Sequence, residues 1–461
     1  MPNANRYPWE GSVDELRGAL RGEVITAGEP GFDDARALWN ASYDRTPGLI
    51  VRCANAQDVI AAVNFARTNN VSVAVRSGGH NVACTGSCDG GLMIDLSRMK
   101  GMGVDAQRRI ARAEAGLTWG EFDRETQMFG LATTGGICSQ TGIGGVTLGG
   151  GFGWLMRKYG LALDNILSMD VVTADGKLRK VTASEHADLF FGMRGSQSNL
   201  GIVTAFEYRL HAVGPTVLAG MVLHPLDRGR EVLQFYRDYT SEAPEEMSAW
   251  AAMLTSPDGH RMLAILACYV GNPADGEKVL RPLRTFGPPV ADMIQPMPYV
   301  RAQSLIDEAF PRGRFNYWKS SLLSVLDDRV IEILVSGFGH VASPYSSVLI
   351  EHLGGAMNRI AKGETAFPHR TAAYDVVIMP MWLDAAESPG HARWADDLWN
   401  AVQPFSTGGV YVNYLGNEGP ERVRAAYGVN HERLAALKYK YDGTNLFRWN
   451  QNIPPSASGV T

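Results

Sequence analysis

Between Gly142 and Gly153 the chain reads Gly-Ile-Gly-Gly-Val-Thr-Leu-Gly-Gly-Gly-Phe-Gly, seven glycines in twelve residues. A glycine inside a regular helix or strand costs about 0.5–1 kcal/mol relative to alanine. A run this dense therefore belongs where backbone must come close to something else. Two readings are open. Consecutive N–H groups without a Cβ in the way form a concavity for an anion, with a diphosphate as its natural guest. Alternatively the glycines make tight turns that pack backbone on backbone. The chain contains no Gly-x-Gly-x-x-Gly spacing and no Gly-Lys-Ser/Thr loop, which disfavours a Rossmann domain and a phosphate-loop nucleotidase.

The elements around this run are mixed. Gly48 to Cys53 reads as a strand, Asn55 to Asn69 as a helix with Val59, Ala62, Val63 and Ala66 on one face, and Val71 to Val75 as a second strand. Further strands are expected at Gly91–Leu96, Ile110–Ala115, Asp170–Thr173 and Ile202–Leu210, and a helix at Trp119–Phe129. Beyond about Val213 the glycine density falls. Apolar stretches at Met262–Val270, Ser320–Leu326 and Tyr374–Trp382 suggest strands of a second domain, and Glu421–Lys440 reads as one helix. We expect an α+β protein with three segments: residues 1–210, residues 211–405, and a tail, 406–461, that returns to the first domain. A chain of 461 residues with 45% hydrophobic content supports two domains.

Charge and cysteine content exclude other classes. Lys plus Arg is 43 against 48 for Asp plus Glu, a net charge of -5 with no basic tract to follow a phosphate backbone, so nucleic acid is not an expected partner. The N-terminal stretch lacks a secretory pattern and no apolar run is long enough for a bilayer span, so no membrane partner and a cytoplasmic location are expected. Five cysteines do not suggest a disulfide framework and direct attention to individual thiols. Cys84 and Cys88 lack the partner ligands of a metal pair, and no metal is expected.

Two residues beside flexible backbone are candidate nucleophiles. His80 follows Arg76-Ser77-Gly78-Gly79, where a neutral imidazole nitrogen can attack an electrophile or simply cap the turn. Cys138 lies in Thr134-Gly135-Gly136-Ile137-Cys138-Ser139, where backbone N–H groups favour a thiolate, though a small buried thiol fits the same position.

These segments occur in order with Leu155-Met156-Arg157-Lys158-Tyr159-Gly160-Leu161-Ala162-Leu163-Asp164-Asn165, Tyr411-Val412-Asn413-Tyr414 and the tail Asn445 to Ile453. Together they resemble the berberine-bridge-enzyme-like flavoproteins of the vanillyl-alcohol-oxidase and p-cresol-methylhydroxylase superfamily. The resemblance covers most of the first domain and the tail, while roughly Val213 to Ala401 matches weakly. It implies a PCMH-type FAD-binding fold with a separate substrate domain built on an antiparallel sheet covered by helices. It also implies FAD held twice, with His80 bonded to the flavin 8α-methyl and Cys138 to ring carbon 6. Two bonds fix the ring without a lid and leave a wide groove for a bulky substrate.

Residues carried over as cofactor-binding are Arg76, Ser77, Gly78, Gly79 and Asn81 of the first motif. Around the cysteine and glycine run they are Gly135, Gly136, Thr141, Gly142, Gly144, Gly145, Leu148, Gly149, Gly150 and Gly153. Tyr159, Gly160, Asn165, Gly201, Ile202, Val203, Asn413, Asn450 and Asn452 complete the set.

The resemblance further implies hydride transfer from a substrate carbon to flavin N5, with Tyr414 as base. A tyrosine with a pKa near ~10 needs a positive neighbour or strong hydrogen bonds to act as a base at neutral pH. Where plant relatives place a lysine and a glutamine this chain has Asp375 and Val377, so Asp375 is a second candidate, as base or as relay for Tyr414. Phe152 stands where those relatives often carry tyrosine. Thr141 occupies the position associated with oxygen access, and points to an oxidase that releases hydrogen peroxide; a dehydrogenase using another acceptor is the alternative. The expected substrate carries a CH–OH group, as in a sugar, an oligosaccharide or a secondary-metabolite alcohol. A C–N oxidase acting on an alkaloid-like amine is the runner-up, favoured by Val377 and Phe152, and a redox-silent flavin-binding module is the third reading.

Overall fold

A computed structural model describes residues 7–361 and 363–457. The first unit opens on a four-stranded sheet. Leu49–Arg52 and Val73–Arg76 are joined by the helix Ala56–Thr68, whose Asn55 side chain caps its first turn by accepting from Gln57 N and Asp58 N. These two strands are not neighbours: Leu92–Asp95 lies between them, parallel to both, and Glu23–Thr26 adds an antiparallel edge. The insertion sets Asp95 opposite Arg76, where the chain leaves the sheet toward His80.

A second sheet is five-stranded and antiparallel, in the spatial order 102–105, 110–114, 202–209, 166–172, 178–182. The glycine run lies against this unit and is in part helical: Ile143–Gly149 is an α-helix, an element that neither the anion-cradle nor the tight-turn reading includes. Its glycines persist because of close neighbours. A Cβ at Gly149 would sit 2.0 Å from Asn413 Oδ1, and one at Gly144 would lie 3.1 Å from Ser77 Oγ.

The second unit is an eight-stranded antiparallel sheet. Its central path runs 216–225, 261–269, 247–255, 347–352, 374–379, 319–323, with 291–292 and 295–298 both pairing to 216–225 at one edge. Side chains alternate between its faces. Val348, Ile350, Tyr374, Val376 and Ile378 pack under the helices Gly229–Ser241, Pro273–Thr285, Asp328–Phe338 and Ser388–Val402. Leu349, Val377 and Met379 face the opposite way, into the core shared with the first unit.

The units are pinned by buried charge. Arg370 donates to both carboxylate oxygens of Asp164 at 2.7 and 2.8 Å, with side-chain exposures of 2% and 4%. Arg157 donates to the carbonyls of Ala243, Pro244 and Met247. After the second sheet the chain forms two helices, Pro420–Tyr427 and His431–Asp442. The single helix anticipated over Glu421–Lys440 is broken at Gly428, whose φ of +49° belongs to the left-handed region. The last described residues run back to the first sheet, where Trp449 bridges Ala74. Among the described residues no helix is long and apolar enough to cross a membrane.

Candidate active site

A cavity with about 1520 Å³ of empty space, its mouth included, opens between the five-stranded sheet, the glycine helix and the roof formed by the second unit. Its floor is largely main chain. Ser77 to Asn81 approach Gly142 so closely that a Cβ on Gly78 would stand 2.3 Å from Gly142 N. A Cβ on Gly145 would meet nothing within 4 Å, so a side chain there would project into free space.

His80 and Cys138 both line this cavity. The His80 ring stacks on Trp39 with centroids 5.5 Å apart. Burial, helped by the charge of Arg312, pulls its pKa down to about 4, so the imidazole is neutral near pH 7. For Cys138, where a thiolate and a small buried thiol were both open, the surroundings favour the thiol. Burial pushes its thiol up to about 12, although the N–H groups of Gln140 and Thr141 act in the other direction. An apolar wall outweighs two backbone dipoles, and the resting sulfur carries its proton.

The other candidates divide by place. Arg76, Ser77, Gly79, Asn81, Gly136 and Thr141 line the cavity. So do Gly142, Gly144, Gly145 and Leu148, and beyond them Ile202, Val203, Asn413, Tyr414 and Asn450. The Arg76 guanidinium is turned away, with Nη1 donating to Ala35 O at 2.5 Å and Nε 3.8 Å from Asp95. Thr141 Oγ1 donates to Cys138 O at 2.7 Å and shapes the cysteine turn.

The remaining candidates lie outside the cavity wall and make the close packing that supports it. Gly135 abuts the Trp119 ring, Gly153 lies against Gly135 O, Gly150 meets the Tyr411 ring, and Gly201 packs on Val171. Gly160 ends the helix Met156–Tyr159 at a φ of +79°. Tyr159 stacks on His211 at 3.9 Å, and His211 Nε2 pairs with Asn165 Oδ1 at 2.7 Å. Asn452 borders a second opening at the tail. Cys84 and Cys88 are buried thiols directed at the carbonyls of Asn40 and Leu92, each pushed up to about 12 by burial.

The roof holds the titratable chemistry. Tyr414 Oη donates to Glu351 Oε1 at 2.9 Å. Glu351 faces Asp375 across the strand pair, and Asp375 Oδ1 accepts from Ser320 Oγ at 2.7 Å. Both carboxyls are fully buried. Burial drives Glu351 well above the usual carboxylate range, with the charge of Asp375 adding to it, and raises Asp375 to about 7. Tyr414 is raised as well, by burial and then by Glu351. The acid hydrogen-bonded to Tyr414 is therefore Glu351, while Asp375, anticipated as a base or as a relay for Tyr414, lies beside Glu351 in the sheet. Glu351 was missed, although an acid directly after the apolar run Val348–Ile350 was a readable signal.

Other unanticipated wall residues are Trp39, Gln197, Trp318 and Trp449. Gln197 holds a φ of +56°, uncommon for a non-glycine residue, and donates to Asn413 Oδ1 at 3.3 Å. Trp318 meets both Trp39 and Tyr414 edge-on at 5.7 and 5.6 Å, giving an aromatic path from His80 to the roof.

Residues 47–182 match the family described as "FAD binding domain", and residues 410–454 match "Berberine and berberine like". An FAD-linked oxidoreductase of Dictyostelium discoideum is 33% identical over 96% of this chain and 97% of its own. The chain belongs to the berberine-bridge-enzyme-like FAD-linked oxidoreductases. Within this family the crystal structure of 6-hydroxy-D-nicotine oxidase from Arthrobacter nicotinovorans superposes with a TM-score of 0.87 at 30% identity, covering 95% of this chain and 98% of that one. A chitooligosaccharide oxidase, 22% identical with a TM-score of 0.86, covers 96% of this chain and 100% of its own and shares the fold. The protein is thus an FAD-dependent oxidoreductase with the two-unit α+β architecture of its superfamily. The cavity suits the cofactor: a backbone cradle that a Cβ at Gly145 would fill, a neutral imidazole, and a thiol lining the same cavity.

Proposed function

We propose that the protein is a bicovalent FAD oxidase that removes hydride from the CH–OH carbon of an apolar, secondary-metabolite alcohol. His80 and Cys138 anchor the cofactor at the 8α-methyl and ring carbon 6, and Ser77–Asn81 with Gly142–Gly145 receive its diphosphate. When bound, FAD supplies the hydride acceptor N5 and, through O2, the route to hydrogen peroxide. The roof directs the alcohol. Trp318, Phe310, Ile306, Leu349 and Met379 give it an apolar wall, which suits an aromatic or alkyl alcohol better than a sugar with many hydroxyls to satisfy.

The observation that carries this reading is the Tyr414–Glu351 hydrogen bond. A raised pKa rules against a standing phenolate. Tyr414 instead takes the substrate hydroxyl proton as it passes its own to the ionised form of the Glu351–Asp375 pair, so a poor base acts as a relay to a better one. Tyr414 and Glu351 perform the transfer, Asp375 completes the pair, and Ser320 holds Asp375 in place.

A second reading has its own support. The apolar roof also suits an uncharged amine, and the chain is 30% identical to a protein named as a nicotine oxidase. Hydride removal from a neutral amine needs no base.

Anaerobic bleaching by a panel of aromatic and alkyl alcohols, each with its matching amine, finds the substrate class, and Glu351→Gln then separates the two readings. Loss of general-base catalysis is worth about 10²- to 10⁴-fold. Flavin reduction by an alcohol should fall by that factor with bound flavin unchanged. Reduction by an amine at the unmodified rate in this variant would favour C–N oxidation and defeat the alcohol reading.

A further inference from the structure

The turn that carries Cys138 is held by one segment of the second unit. Gln303, buried next to the short helix Tyr299–Ala302, donates through Nε2 to Gly136 O. Asp307, four residues on, accepts from Ser139 N at 2.8 Å and from Ser139 Oγ. These bonds hold the Asp307 carboxylate one residue from Cys138, where its charge opposes ionisation of the thiol. The backbone N–H groups of Gln140 and Thr141 act on the sulfur in the opposite sense, favouring its anion. A nucleophile flanked by a proton acceptor and by donors for the resulting anion is an activated nucleophile in waiting. Nothing in alcohol or amine oxidation at the roof uses this carboxylate.

We propose that Asp307 is the base that activates Cys138 for its own attachment to FAD, with the Gln140 and Thr141 N–H groups holding the sulfur anion. The proposal rests on the reading of Cys138 as the second anchor. Asp307 takes the thiol proton, and the sulfur electron pair forms the S–C6 bond. The hydrogen on C6 leaves as a proton, and two electrons remain on the ring system. Molecular oxygen accepts those two electrons with two protons as hydrogen peroxide. The sum is thiol, oxidised flavin and O2 giving thioether and H2O2. Burial keeps the resting thiol protonated until the ring lies against it, which spares the sulfur other reactions.

Asp307→Asn tests this, because an asparagine keeps an oxygen for Ser139 N and removes the base. The full-length protein is sampled for hours after induction, denatured, alkylated with iodoacetamide and digested. In the wild type the Cys138 peptide should be found joined to the His80 peptide through flavin and not alkylated. In Asp307→Asn the flavin should stay on His80, while Cys138 is alkylated and joins the ring at least tenfold more slowly. Asp307→Glu should restore the link. Wild-type linkage kinetics in Asp307→Asn would overturn the proposal, as would equal failure of the asparagine and glutamate variants, which would mark a purely structural role. An alkylated Cys138 in the wild-type protein would instead overturn the bicovalent reading beneath it.

Discussion

On the floor of the cavity, Ser77–Asn81 and Gly142–Gly145 bring main chain to the surface. The roof above presents Leu349 and Met379 and, further along the same face of their strands, Glu351 and Asp375. The floor achieves its shape by leaving side chains out, and the roof achieves its chemistry by burying side chains that would normally be wet. A cofactor common to a family needs a fixed cradle, which close backbone contact provides. A substrate particular to one member needs adjustable side chains, which strand alternation offers without moving the backbone. Substitutions should accordingly fail in different ways on the two sides.

The largest effect is expected on the floor. A Cβ at Gly78 would meet main-chain atoms of Gly142 at 2.3 and 2.7 Å, and backbone cannot rotate away as a side chain can. Overpacking in tight sites typically costs about 1–3 kcal/mol and sometimes more, here at the point where the cradle closes. Gly78→Ala should lower the flavin-to-protein absorbance ratio of purified protein at least tenfold. Full flavin loading would show that Ser77–Asn81 and Gly142 are not the cradle.

Next comes the joint between floor and roof. Arg370 and Asp164 form a buried bidentate pair across it. Removing one partner of such a pair costs about 3–5 kcal/mol, because the other charge is left unpaired. Asp164→Asn should lower thermal stability by that order in calorimetry, and Asp164→Leu with Arg370→Met should recover most of it. Equal losses in the single and double variants would show that the pair does not couple the two units energetically.

The same contrast explains what was legible in the sequence. The floor depends on short-range motifs, so Arg76 to His80, the cysteine turn and the glycine run could be read from residue type and spacing. The glycine run did conceal a helix, because what makes it tolerable, Asn413 and Ser77 against Gly149 and Gly144, is distant in sequence. The roof depends on register between strands. Asp375 was visible as an acid in an apolar strand, but its pairing with Glu351, 24 residues earlier, comes from strand register, and that of Glu351 with Tyr414, 63 residues later, from a turn packed on the sheet. Asp307 was invisible for the same reason, since its partner Ser139 is 168 residues away.

The smallest change expected is one of pH dependence, and it bears most directly on the roof. An ordinary aspartate ionises near pH 4, whereas burial raises Asp375 to about 7 in the folded protein. Between about pH 4 and 7 the folded protein keeps this proton and the unfolded chain does not, so the contribution of Asp375 to stability is greatest in acid and declines as pH rises from about 4 to 7. Activity runs the opposite way. A protonated Asp375–Glu351 pair cannot accept the Tyr414 proton, so kcat/KM for an alcohol should rise about tenfold per unit below pH 7 and level off above it. Asp375→Asn removes the group that titrates there while leaving an oxygen for Ser320 Oγ. Its profile should lose the limb near pH 7, with flavin content unaltered. A limb that persists at the same pH in Asp375→Asn would assign the titration to the substrate or to another group, and would remove Asp375 from the proton path while leaving the Tyr414–Glu351 contact in place.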